Sequence, residues 1–112
     1  MNEKEKVLIE NFKEYYEEGD SAFGKARFNT ATILFFKAVA TLCDLYLLRK
    51  EGNIPSSHST RFRILEEKYH EIYKIMDRDF PFYQDSYTQK LDKETAELVK
   101  KDAGRIKKML NL

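Results

Sequence analysis

Apolar positions recur along the chain at intervals of three and four residues, the signature of helices with one buried face. Leu8, Phe12, Tyr15, Ala22 and Ala26 line one stripe over residues Glu3 to Arg27, predicting a first helix there. Gly19 and Gly24 weaken its second half and mark either a close approach by a neighbour or a bend. A second helix is predicted from Thr30 to Lys50, with Asn29 or Thr30 as its N-cap. Ile33, Phe36, Ala40, Cys43 and Leu47 form one stripe, and Leu34, Phe35, Val39, Leu42, Leu45 and Leu48 extend it almost all the way round. A helix apolar on nearly every side packs against several neighbours or against a second subunit. Gly52 supplies a stop after Arg49 and Lys50, which suit the negative end of the helix dipole.

Asn53 to Ser57 reads as a loop, and Ser57 or Ser59 caps a third helix from Ser59 to Phe80. Its stripe is Phe62, Leu65, Tyr69, Ile72 and Met76, and Pro81 ends it, since proline disfavours helical geometry in the residue before it. The aromatic-rich stretch from Phe82 to Leu91 is expected to be irregular, with a short extra helix near 82–90. Asp92 caps a last helix with acids in its opening turns and Arg105, Lys107 and Lys108 near its close. The pattern therefore predicts an all-α fold: one domain over 1–112, an antiparallel up-and-down bundle of four main helices.

Composition narrows the function classes. An apolar fraction of 42% in 112 residues fills one core, and a charged fraction of 35% with a net charge of +1 gives no global field for nucleic acid or anionic membrane. Cys43 is the single cysteine and lies in an apolar run, where a thiol behaves as core filler. The mixed charges of the opening six residues do not resemble a secretory leader. Ala31 to Leu48 has borderline spanning length but carries Lys37 and Asp44, so a buried helix and a cytoplasmic protein without a membrane segment are expected.

Metal spacing and phosphate-cradling glycine loops are absent from the sequence, which implies no cofactor. His58 and His70 stand twelve residues apart, His70 on a charged face with Glu66 and Glu67. Basic residues cluster at Arg61, Arg63 and Lys68 and again from Lys100 to Lys108, interleaved with tyrosines of the kind that stack on RNA bases. The stretch Asp77-Arg78-Asp79-Phe80-Pro81-Phe82-Tyr83-Gln84-Asp85-Ser86-Tyr87 gathers an arginine able to clamp phosphate with phenols able to donate or stack.

The chain as a whole resembles the HEPN family, small prokaryotic helical proteins often encoded beside a minimal nucleotidyltransferase. The likeness rests on Phe12 to Asp20 leading into Ala26 to Ala31, on Lys37-Ala38, on His58-Ser59, and on Asp92 to Val99. The resemblance implies a homodimer in which two sites face each other across a cleft. Many members are metal-independent endoribonucleases whose motif is an arginine, often followed by a polar residue, with a histidine four to six positions on. There the arginine stabilises phosphate charge and the histidine assists attack by the RNA 2′-hydroxyl. Here Arg78-Asp79 fits the start, but Tyr83 stands where the histidine would fall, and a phenol titrating near pH 10 is a poor general base. The expectation is a non-catalytic or degenerate member that binds RNA, a nucleotide or a partner protein through Arg78, Asp79, Tyr83, Tyr87 and His58. The alternatives are an endoribonuclease of toxin–antitoxin type, using Arg78 with Tyr83 or a remote His58, and a purely structural interaction module.

Overall fold

Five helices carry the chain in a computed structural model that describes residues 2–112, so Met1 of the opening stretch lies outside it. They are α1 (Glu3–Gly24), α2 (Phe28–Glu51), α3 (His58–Lys68), α4 (His70–Asp85) and α5 (Lys93–Met109), with no strand among the described residues. The Asn2 side chain accepts the Glu5 N–H at 2.8 Å and starts α1. The helix closes a turn earlier than its stripe predicts. Ala26 adopts a left-handed φ of 58°, and the Arg27 N–H returns to the Ala22 carbonyl at 2.9 Å.

Helix α2 is the centre of the core. Ala31, Phe35, Ala38, Val39, Leu42, Cys43, Leu45 and Leu47 are all fully buried, each large one worth about 1.5–3 kcal/mol. Its neighbours are α1, α5 and α4, so its all-round apolarity is absorbed within one chain. It is also the one helix among the described residues long and apolar enough to cross a membrane, and 67% of its most apolar window is buried inside the protein. Gly19 of α1 permits the closest approach: a Cβ there would stand 2.7 Å from the Phe35 ring. Gly52 ends α2 at a φ of 84°, as its position predicts.

The expected N-cap of α2 is corrected. Arg27 occupies that position without a side-chain bond, and Asn29 turns instead to the segment after α4. Its amide donates to the carbonyls of Ser86 at 3.0 Å and Gln89 at 2.7 Å, while its carbonyl accepts the Leu91 N–H at 2.9 Å. A short polar side chain satisfies three backbone groups of a loop that has no ladder of its own.

The single helix expected from Ser59 to Phe80 is also corrected: it is two helices broken at Tyr69 (φ −132°, ψ 65°). The Tyr69 hydroxyl donates to Glu51 at the end of α2, Lys68 pairs with the same carboxylate at 3.0 Å, and the Tyr69 ring meets Tyr46 edge-on at 5.2 Å. These ties hold the backbone out of helical geometry at one residue. The stripe continues across the break, with Leu65, Ile72 and Met76 buried. Pro81 does not end the helix but sits inside α4, which runs to Asp85, so no separate helix forms near 82–90. Proline deprives the carbonyl four residues back of its donor, but Asp77 and Pro81 are both exposed and water can replace it. Ser57 caps α3 and Asp92 caps α5, accepting from the N–H of Thr60 at 3.2 Å and of Thr95 at 2.8 Å.

Candidate functional site

The residues singled out from the sequence fall on two sides of α4. Because α4 runs unbroken through Pro81, Arg78 and Tyr83 lie five positions apart, about 140° round the helix axis. Arg78 turns to α5, and Tyr83 turns to α2. Tyr83 stacks on Phe36 with ring centroids 4.9 Å apart, and its hydroxyl lies 3.1 Å from that of Tyr87, which is 73% exposed. This hydrogen bond raises the Tyr87 pKa.

His58, at the start of α3, joins the tyrosine side. Tyr83 and His58 line a recess of about 160 Å³ with Tyr15, Phe36, Lys37, Asp44 and Arg61. Asp44 is one of the few charges in the apolar α2, and a carboxylate there needs a partner. Arg61 supplies it as a fork, with Nε 2.7 Å and Nη2 2.9 Å from the two Asp44 oxygens. The third guanidinium nitrogen, Nη1, donates to His58 Nδ1 at 2.6 Å. Guanidinium is always the donor, so Nδ1 must be the bare nitrogen and the ring proton sits on Nε2. His58 keeps much of its surface in solvent, yet partial burial of the ring, reinforced by the Arg61 charge, lowers its pKa and favours the neutral imidazole. Phe80 flanks the ring at 5.6 Å. The Lys37 charge acts on both His58 and Tyr87, lowering each. The recess therefore presents a neutral imidazole, the Lys37 cation and the phenols of Tyr15 and Tyr83 beside an aromatic stack, with the Arg61–Asp44 pair behind them.

The other side of α4 is built from charge. Arg78 Nη2 lies 2.6 Å from a carboxylate oxygen of Asp102 on α5, and Arg105 Nη1 lies 3.4 Å from the other. Asp102 and Asp79 are both fully buried. Burial, followed by contact with Asp102, pushes the Asp79 carboxyl up to about 8, against the opposing effect of Arg78 at 3.6 Å. Asp79 finds no conventional donor for either oxygen, which fits a protonated acid donating to Asp102.

Neither Lys37 nor Asp44 stands out from the sequence as a site residue, though both are charges within the most apolar segment. Asp102 carried a fainter signal, lying three residues after Val99 and four before Ile106 on the core face of α5. Cys43 is buried, which raises its pKa far above the ordinary thiol value and removes it from nucleophilic chemistry. Among the described residues no group of three or more His, Cys, Asp or Glu side chains is placed to hold a metal ion. No family model matches the chain, and neither a curated protein nor a solved structure gives a significant match.

Proposed function

We propose that this chain is a HEPN-like helical protein that binds RNA or a nucleotide at the recess between His58 and Tyr83. One observation carries the reading: Lys37, His58 and Tyr83 line a single opening, the exposed Tyr87 hydroxyl lies 3.1 Å from that of Tyr83, and Arg61 is locked by Asp44 behind them. A base stacks on the exposed Tyr87 ring, Lys37 neutralises a phosphate, and His58 Nε2–H and the phenols donate to sugar or phosphate oxygens. In this reading α1, α2, α4 and α5 are the four up-and-down helices of the family, α3 is an added short one, and two copies pair with their recesses facing. A nucleotidyltransferase encoded alongside is the natural partner, and the setting is cytoplasmic. Arg78, engaged by Asp102 on the other face, takes no part.

The test is fluorescence anisotropy with a labelled oligouridylate. Tyr87→Ala is expected to weaken binding about tenfold, within the ~1–3 kcal/mol that stacking one base contributes, and Lys37→Ala to weaken it and flatten its salt dependence. An oligomer that binds all three proteins equally, or none, overturns the reading.

A second reading is favoured by the neutral His58 beside a phenol. In metal-independent cleavage His58 Nδ1, once freed from Arg61, would take the 2′-hydroxyl proton as that oxygen attacks phosphorus and the P–O5′ bond breaks, the departing 5′-oxygen taking its proton from water. Cleavage that survives chelators and is lost in His58→Ala would select it over simple binding.

A further inference from the structure

The face of α4 turned away from the recess carries a different chemistry. Lys74 and Arg78 of α4 and Arg105 and Lys108 of α5 line a cleft of about 550 Å³, with Glu71 as the one acid on its wall. That volume lies in the ligand-site range of roughly 300–1,000 Å³. The chain is almost neutral, at +1, so four cations in one cleft are a local concentration rather than a sample of the whole surface.

Two of the four are held in place from below. The buried Asp102 holds Arg78 at 2.6 Å and draws Arg105 to 3.4 Å, so one carboxylate orients the first guanidinium and gathers the second beside it. Their side chains remain 44% and 64% exposed, so donors not used by Asp102 stay open to the cleft. Lys74 and Lys108 make no ion pair among the described residues. Asp79, kept as a neutral acid, does not add a second negative charge under the arginines. Positive charge therefore survives after Glu71 and Asp102 are counted. Guanidinium groups already oriented lose less freedom when they meet phosphate oxygens in pairs.

We propose that the α4–α5 cleft is an anion site for oligophosphates, two or more linked phosphate groups, separate from the His58 recess. Such groups occur in an RNA backbone and in free polyphosphate. Lone phosphate would engage one arginine, while a linked chain bridges the arginines and the flanking lysines.

The experiment is a two-dimensional NMR titration of the full chain with sodium tripolyphosphate at about 150 mM salt, where exposed isolated charges are screened. Signals of Lys74, Arg78, Arg105 and Lys108 are expected to shift while those of His58 and Tyr83 stay in place. Arg105→Ala/Lys108→Ala, changed at two exposed positions and checked for native helicity by circular dichroism, is expected to bind about tenfold more weakly. Displacement of an oligouridylate from these residues by tripolyphosphate identifies a nucleic-acid backbone as the source. Tripolyphosphate binding without any oligouridylate contact there identifies free polyphosphate. Absence of shifts at the cleft, or equal affinity in the folded double variant, overturns the proposal.

Discussion

Asp79 is the residue at which physical chemistry is most exposed to test. Its carboxyl is fully buried and sits at about 8 in the folded chain, against an ordinary value of 3.8. Below the ordinary value both folded and unfolded chains hold the proton, and the group has no effect on stability. Between the two values only the folded chain holds it, so stability declines as pH rises and the full penalty is present above about 8. Asp79→Asn keeps the site neutral throughout. The melting temperature of this variant relative to the native chain is expected to rise steadily between pH 5 and pH 8; an offset independent of pH would show that Asp79 is not the titrating group. This is invisible in the sequence, because nothing in Arg78-Asp79 says which neighbour faces which. That Arg78 and Tyr83 diverge follows from helical phase alone, once Pro81 is known to lie within α4. Reading Pro81 as a terminator is what placed them together.

At the level of the helices, the stripes and most caps were legible, while the start of α2 and the interruptions were not. Ser57, Asp92 and Gly52 act where their chemistry suggests, because each works through backbone groups within a few residues. Ala26 misleads: the best helix former stands in the left-handed position where glycine is preferred, so α1 ends sooner than its pattern indicates. Tyr69 misleads for a different reason, since the break it makes depends on Glu51, far away in sequence. Gly19 is the sharpest element-level test. A methyl group there meets a fully buried Phe35 ring that already lies against Tyr16 at 5.6 Å. Gly19→Ala is expected to lose about 1–2 kcal/mol in chemical denaturation, overpacking outweighing the better helix propensity. Gly24→Ala, with nothing within 4 Å of its new carbon, is expected to lose nothing. Equal stability changes in the two variants would show that α1 and α2 do not meet as described.

Over the whole molecule the core centres on α2, and α3 reaches it chiefly through the fully buried Leu65. Only Arg61 and Leu65 of α3 are buried. Its apolar contacts run to α4, where Phe62 meets Phe80 at 5.3 Å and Tyr73 at 6.4 Å. Two polar ties fasten it to α2: Arg61 on Asp44, and Lys68 with the following Tyr69 on Glu51. Amide hydrogen exchange is expected to release α3 before α2 and α5, and protection of α3 equal to that of α2 would refute this division. The interruption at Tyr69 thus works as a joint. One half of the recess belongs to the rigid trunk, through Phe36 and Tyr83, and the other half, through His58, belongs to a limb fastened by charge. An occupant that touched both would brace the limb against the trunk, and its arrival would be recorded as slowed exchange along α3, well beyond the atoms it contacts.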